Sequence, residues 1–99
     1  MKKEVDPELL ILASLAGGPR HGYGIMQDVR RLTGVHLGPG TLYTAIPRLE
    51  RQGLIEAMAA TGRRRPYRIT QRGAEVLRER LEAMRTLSTA GLARLGVPA

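Results

Sequence analysis

Glycine and proline divide this chain into segments that are each long enough for one helix or one short strand. Asp6-Pro7-Glu8 is typical of a helix start, because it offers a capping side chain, a proline for the first turn and an acid near the helix N-terminus. Gly17-Gly18-Pro19 ends that helix, and Gly34 and Gly53 are suited to end two more. No apolar run approaches the roughly 18 residues of a membrane-spanning helix. The sequence therefore predicts short packed helices and no membrane association.

The apolar residues within these segments repeat at helical spacing. The second predicted helix runs from about Gly22 to Thr33, with apolar positions at Ile25, Met26, Val29 and Leu32. The third runs over residues 38–53, with a buried stripe of Leu42, Ala45, Ile46 and Leu49. Between the two helices, residues 35–37 are predicted to form no more than a small strand. Because the chain has no Phe and no Trp, its core must consist of aliphatic side chains, which favours helices.

The spacing of apolar residues changes from helical to extended after Gly53. Residues 54–58 and 66–69 predict the two strands of a hairpin, joined by a turn at residues 59–65. Thr70 is a suitable N-cap for a long final helix that starts near Gln71. The apolar seam of this helix consists of Leu77, Leu81, Met84, Leu87, Leu92 and Leu95. Gly91 and residues 96–98 predict fraying near its end.

The predicted fold is mainly α with a small β-hairpin, an α+β fold. A helix-turn-helix followed by a basic hairpin is the arrangement of a winged helix-turn-helix. We expect residues 1–70 to form this DNA-binding domain and residues 71–99 to form a C-terminal dimerisation helix. A long helix with an apolar seam needs a partner, and a second copy of the chain supplies one symmetrically. Leu9 and Leu12 of the first helix are predicted to contribute to the same homodimer contact.

The positive charge of the chain is concentrated near the hairpin. The net charge is +7, and residues 54–73 hold five bases and one acid. Arg63, Arg64 and Arg65 lie at the predicted hairpin turn, and Glu56 is the one acid between Glu50 and Glu75. Such a cluster is suited to phosphate contacts or to insertion into a DNA minor groove. The simpler alternative is a solvated turn or a basic localisation-like run.

The front of the third helix carries no charge. Its residues there are Pro39, Gly40, Thr41, Tyr43 and Thr44. A face of this kind permits close approach to base edges, and the free N–H groups at the helix N-terminus suit a phosphate. Arg48 lies further along the helix, where it could contact a flanking phosphate. Alternatively, Gly38-Pro39-Gly40 is simply a turn that starts a helix.

Pro47 is the one residue of this helix that conflicts with helical geometry. It removes the N–H group that would bond to the Tyr43 carbonyl. We therefore expect residues 39–46 to tilt relative to the second half of the helix.

The remaining polar residues predict binding rather than catalysis. Tyr23, at the start of the second helix, is equally suited to a phosphate contact and to half-buried packing. His21 and His36 lack the spacing of metal ligands, so structural or capping roles are expected, without a metal or cofactor. No catalytic grouping can be identified, which argues against an enzyme. The absence of Cys fits the cytoplasm, and acids among residues 4–8 argue against a signal peptide.

Three segments together resemble the PadR family of bacterial transcriptional regulators. They are HGYGIMQDV, GPGTLYTAIPRLERQGLI and GRRRPYRITQRG, in this order and spacing. The resemblance implies a winged helix-turn-helix repressor that binds double-stranded operator DNA and is dimeric through its C-terminal helix. It also implies release by a small aromatic or phenolic effector, for which the dimer interface is the expected site.

The resemblance also assigns individual residues. Residues 21–23 match the phosphate-contacting start of the family's second helix, and residues 39–43 match its recognition-helix signature, with Leu42 in the core. Residues 63–65 and Tyr67 match the wing. The single C-terminal helix resembles the compact subgroup, but the absence of Trp leaves the aromatic-stacking pocket of some compact members without support.

Two alternatives come from other functional classes. The same fold could be a ligand-sensing or protein-interaction module that does not bind DNA, and binding to duplex DNA would then be absent or insensitive to salt. An RNA-binding winged helix is also possible, but it would leave the dimer seam unexplained. The expected function is a sequence-specific, ligand-responsive repressor that acts on a palindromic operator as a homodimer.

Overall fold

The computed structural model describes residues 6–97, which form four helices and one small sheet. The elements are α1 (Pro7–Leu15), β1 (Arg20–His21), α2 (Gly22–Thr33), α3 (Pro39–Arg51), β2 (Ile55–Ala57), β3 (Pro66–Ile69) and α4 (Gln71–Arg94). This order confirms the predicted α+β fold with a winged helix-turn-helix arrangement. The fraying predicted at Pro98 lies outside the described residues.

The helices begin and end where the local sequence predicts. The Asp6 carboxylate accepts a hydrogen bond from the Glu8 backbone N–H at 2.9 Å, which caps α1. Gly34 follows α2 with φ 73°, a left-handed conformation that glycine adopts without strain. The Thr70 hydroxyl accepts a hydrogen bond from the Gly73 N–H at 3.0 Å, which caps α4. Short-range capping chemistry is sufficient to set these boundaries.

Helix α1 lies at the centre of the core and is covered on most sides. The buried apolar residues are Leu9, Leu10, Ile11, Leu12, Leu15, Ile25, Val29, Leu37, Leu42, Ala45, Ile46, Leu49, Leu54, Ile55 and Leu77. The stripe predicted for α3 is therefore confirmed. Leu32, predicted as an apolar contact of α2, is instead 61% exposed. Leu37, which follows the helix, is buried.

The sheet has one strand more than the predicted hairpin. Its order is β1-β3-β2 with antiparallel pairing, and Arg20 lies opposite Tyr67 while Ile55 lies opposite Ile69. Strand β1 has two residues and exists because β3 is beside it, so no local pattern could predict it. The prediction of a small strand at residues 35–37 was wrong. Within the described residues, no neighbouring strand is available to pair with this segment.

Helix α3 continues across Pro47 to Arg51. Because the proline nitrogen carries no proton, the Tyr43 carbonyl has no hydrogen bond from that position. The tilt between the two halves of α3 stays a prediction. Helix α4 continues through Gly91 and ends at Arg94, so the fraying expected near the end of this helix does not begin at Gly91.

Candidate nucleic-acid interface

The front of α3 is open to solvent. Thr41, Tyr43 and Thr44 are exposed, and the Thr44 hydroxyl donates a hydrogen bond to the Gly40 carbonyl at 2.8 Å. Gly38 is the N-cap and contributes no side-chain hydrogen bond, so the first-turn N–H groups are not capped by a side chain. The structure therefore presents uncapped donors at the start of α3 and hydroxyl groups along its front.

Tyr43 lies directly against the start of α2. A methyl group on Gly22 would lie 2.8 Å from the Cζ atom of Tyr43 and would overlap its hydroxyl. Only glycine leaves room for the ring there, although 53% of Tyr43 remains exposed. Gly22 thus leaves the space that the Tyr43 side chain occupies beside α2.

A cleft of about 350 Å³ joins α2, α3 and the wing formed by β2, β3 and their connecting turn. Its lining residues are His21, Gly22, Tyr23, Tyr43, Arg63, Arg64, Arg65 and Tyr67. Most DNA-binding positions expected from the sequence therefore meet in one cleft. Strand β1 makes this possible, because it joins the start of α2 to the wing.

His21 joins the start of α2 to the wing at this cleft. Its Nδ1 atom caps α2 by accepting a hydrogen bond from the Gly24 N–H at 3.2 Å, as expected for a capping histidine. Its Nε2 atom lies 3.1 Å from a guanidinium nitrogen of Arg64. The imidazole is therefore in contact with both the helix N-terminus and a wing arginine.

The three wing arginines form no ion pair with any described residue. Arg65 donates to the Met58 carbonyl at 3.1 Å, and Arg64 lies beside His21. The acid nearest in sequence, Glu56, pairs instead with Arg68 on the adjacent strand. All three arginines are exposed, so their charges are available to a phosphate backbone.

Tyr67 lies deeper than the other predicted wing residues. It packs against the core and also lines the cleft. Burial raises the pKa of the Tyr67 hydroxyl, Glu50 and Tyr43 raise it further, and Arg65 lowers it. Tyr67 therefore keeps its proton at neutral pH.

A buried polar network, which the sequence did not reveal, holds β1 in place. Asp28 on α2 is 7% exposed and accepts a hydrogen bond from the Ser14 hydroxyl at 2.8 Å. Guanidinium nitrogens of Arg20 and Arg31 lie 3.4 Å and 3.2 Å from the Asp28 carboxylate. One feature of the sequence could have indicated this network. Asp28 lies three residues after Ile25 and directly before Val29, which places an acid beside the apolar face of α2.

The comparisons with known proteins agree with this geometry. The model of the transcriptional regulator PadR-like family matches residues 11–79. The chain belongs to the PadR-like family of transcriptional regulators. Its described elements form the winged-helix DNA-binding fold of that family, which consists of regulators and not of enzymes.

Three proteins illustrate the similarity. A 37.1 kDa protein of transposon TN4556 from Streptomyces fradiae is 41% identical over 83 residues, which are 84% of this chain and 24% of that protein. The transcriptional activator GvpE2 of Halobacterium salinarum is 38% identical over 72 residues, which are 73% of this chain and 36% of GvpE2. The chain thus spans about a quarter to a third of the length of these relatives. A solved transcriptional regulator from Clostridium thermocellum has a TM-score of 0.76 and 30% identity, over 88% of this chain and 89% of that one.

Arg48 is the DNA-contact candidate whose surroundings differ most from the expectation. In this PadR-like chain its guanidinium lies 3.2 Å from the Glu8 carboxylate, across a cleft of about 480 Å³ between α1 and α3. Asp6, in the same cleft, pairs with Arg80 of α4 at 2.6 Å. Burial raises the pKa of Asp6, but hydrogen bonds from the Arg80 guanidinium and the Glu8 backbone N–H outweigh burial and leave it below its ordinary value.

The residues predicted for dimerisation fall into two groups in this PadR-like chain. Leu9, Leu12 and Leu77 are buried in the core of their own chain. The others remain exposed by 36% to 78% of their surface: Leu81, Met84, Leu87, Leu92 and Leu95. The α4 seam is therefore exposed from Leu81 onward.

Neither a metal site nor a membrane span accompanies these features. Over residues 6–97, no group of three or more metal-binding side chains comes together, and no helix is long and apolar enough to cross a bilayer.

Proposed function

We propose that this PadR-like chain is a homodimeric, sequence-specific repressor that binds a palindromic operator. The observation that carries the proposal is the cleft in which the α2 N-terminus, Tyr43 of α3 and the arginine wing converge. Hydroxyls, N–H groups and guanidinium groups meet there, and the three wing arginines form no ion pair with a described acid. This combination matches the backbone of duplex DNA, and we expect the chain to act in the cytoplasm, which the absence of Cys fits.

The contacts divide into positioning and reading. Tyr23, Arg64 and His21 hold a phosphate at the cleft, since the Arg64 guanidinium and the His21 imidazole already lie 3.1 Å apart there. Arg63 and Arg65 contact flanking phosphates or the minor groove. The uncharged front of α3 enters the major groove and places its hydroxyl-bearing side chains against base edges: Thr41, Tyr43 and Thr44.

Dimerisation through α4 explains the exposed apolar stripe. Leu81, Met84, Leu87, Leu92 and Leu95 lie along a helix of 24 residues whose first turns alone are held by the core. A second copy of the helix covers this stripe in a two-fold arrangement. Two recognition helices then face half-sites about one DNA turn apart.

DNA binding is tested with duplexes selected by the purified full chain from a random library. Fluorescence anisotropy between 50 and 200 mM salt then gives the affinity for the selected and for a scrambled duplex. Arg64→Ala is expected to weaken both complexes and to reduce the slope of log K against log salt by about 0.9 per chain. Arg94→Ala, which removes the same charge at the end of α4, is the matched control and is expected to leave the slope unchanged.

Sequence reading by α3 has a separate test. Thr44→Ala is expected to weaken binding to the selected duplex more than binding to the scrambled one. Equal weakening of both would remove Thr44 from the reading set. Absent or salt-insensitive binding by the unmodified chain would instead favour the protein-interaction alternative.

The dimer surface is tested by sedimentation velocity over a range of chain concentrations. Met84→Lys places a charge in the apolar stripe and is expected to yield monomers. Thr86→Lys places the same charge on the opposite side of α4, because residues two apart on a helix lie far around its circumference. If both variants stay dimeric, α4 is not the interface.

Repression and effector response rest on the family resemblance. GvpE2, a relative, is named a transcriptional activator, so a reporter with the selected duplex at its promoter determines the sign of regulation. A shallow cleft of about 300 Å³ beside Leu77 and Leu81 adjoins the proposed dimer surface and is where we place an aromatic or phenolic effector. Release of the duplex by a panel of such compounds tests this assignment, and retention with every compound would contradict it.

A further inference from the structure

Helix α1 brings an acid to the edge of the recognition helix. The carboxylate of Glu8 accepts a hydrogen bond from Arg48 at 3.2 Å, although the two residues are 40 positions apart in the chain. They share a cleft with Gly40, Thr41 and Thr44, which belong to the proposed reading face. A negative charge beside a DNA-reading surface opposes phosphate binding, so its position there requires an explanation.

We propose that Glu8 withholds Arg48 from the DNA backbone until α3 is fully seated in its preferred site. This inference rests on the proposed DNA-binding function and deepens it. On a random duplex, Arg48 stays paired with Glu8 and contributes nothing to binding. On the operator, base contacts hold α3 deep in the groove, and a phosphate displaces the carboxylate.

The two partners differ in the way that such an exchange requires. The Glu8 side chain is 18% exposed and lies in the first turn of α1, where the helix N-terminus favours its negative charge. The Arg48 side chain is 58% exposed on a long flexible stem. The acid is therefore held in place, while the guanidinium can move from one anion to another. An exposed pair of this kind is weak enough to be exchanged.

The neighbouring acid does not compete for Arg48. Asp6 is engaged by the Arg80 guanidinium and by the Glu8 backbone N–H. Among the residues whose positions are described, Glu8 is thus the acid that pairs with Arg48.

The test compares Glu8→Gln with the unmodified chain on selected and scrambled duplexes between 50 and 200 mM salt. The variant is expected to bind the scrambled duplex more tightly, with a slope steeper by about 0.9 per chain for one added phosphate contact. Over that salt range the scrambled complex then loses about 3.5-fold more affinity per chain than the unmodified one. The slope of the selected complex is expected to stay unchanged, because Arg48 already contacts a phosphate there, while its affinity rises because the pair between Glu8 and Arg48 no longer has to be broken.

Two further variants separate the exchange from simple charge effects. Glu82→Gln removes the same charge from α4, where Glu82 lies 3.8 Å from Arg85, and is expected to leave the slope unchanged on both duplexes. In the double variant Glu8→Gln/Arg48→Gln, the gain on scrambled DNA is expected to disappear. If the gain persists in the double variant, Glu8 acts by direct repulsion, and the exchange is overturned.

The outcomes also separate a failure of the role proposed for Glu8 from a failure of the proposed DNA-binding function. Failure of the unmodified chain to bind any duplex contradicts the proposed function. Salt-dependent binding whose slope Glu8→Gln does not alter, or alters equally on both duplexes, contradicts only the role of Glu8.

Discussion

Gly73→Ala is expected to destabilise the fold, although alanine is the better helix former. Gly73 lies in the first turn of α4, where it passes the backbone of Leu54. A methyl group there would overlap the Leu54 carbonyl oxygen and would lie 3.0 Å from its carbonyl carbon and 2.8 Å from Cγ1 of Ile69. Favourable contacts between such atoms require about 3.5–4.0 Å, so the backbones of α4 and Leu54 must separate.

The magnitude follows from three terms. Alanine stabilises a helix by about 1 kcal/mol relative to glycine, which opposes the two other terms. Overpacking against backbone costs about 1–3 kcal/mol. Separation also weakens the hydrogen bond that the Leu54 carbonyl accepts from the Thr70 N–H at 3.0 Å, a loss of about 1 kcal/mol. The net loss in the free energy of unfolding is about 1–3 kcal/mol, and each kcal/mol lowers Tm by about 4–8 °C.

Gly24→Ala is the matched control. Like Gly73, Gly24 donates its N–H to the side chain of the residue that caps its helix. A methyl group on Gly24 would lie 3.6 Å from Cβ of Arg20, which is an ordinary contact, so stability is expected to rise by about 0.5–1 kcal/mol. Urea and thermal unfolding followed by circular dichroism, at one chain concentration, compare the variants. Equal stability of the two variants would refute the reasoning.

Three further predictions concern charge and contact. Asp28→Asn is expected to lower the free energy of unfolding by about 1–3 kcal/mol in urea titrations, because Arg20 loses its partly buried partner; a change below about 0.5 kcal/mol would contradict this. The pKa of Asp6 is lowered in the folded state, so its carboxylate stabilises the fold at neutral pH. This stabilisation is lost as the pH falls through the pKa of Asp6 in the folded state. Asp6→Asn keeps the acceptor that caps α1 but loses the ion pair with Arg80. At pH 7 the free energy of unfolding of this variant is expected to be slightly below that of the unmodified chain, and at about pH 2 the two are expected to be equal. A difference that does not change with pH would show that the Asp6 charge does not stabilise the fold. Gly22→Ala is expected to displace the tyrosine of α3 and to weaken operator binding about tenfold by anisotropy, and unchanged affinity would exclude that tyrosine as a contact.

The helices could be predicted because their signals are short-range. A cap and its acceptor, such as Thr70 and Gly73, lie within one turn, and the apolar positions of α3 repeat within the helix itself. The basic wing could also be predicted, because its three arginines at residues 63–65 are adjacent in the sequence. The expected function came from the family resemblance, whose three matching segments lie on α2, on α3 and on the wing.

Errors occurred where a second segment decides the outcome. Residues 35–37 have strand-like side chains but no described strand beside them, whereas Arg20 and His21 form a strand because β3 pairs with them. Leu32 has the spacing of a core residue, but Leu37 is buried instead. Neither outcome can be derived from local periodicity, which does not specify which faces meet.

The sequence by itself determined the helix boundaries, the aliphatic core of α3 and the basic wing, because each depends on residues a few positions apart. Only the tertiary structure decided which charges are available for binding. It places Glu8 against Arg48 across 40 positions, joins Asp28 to Arg20, and brings Arg64 beside His21. Electrostatic partners depend on distance in space, and the packing of α1 against α3 and of β1 against β3 sets those distances.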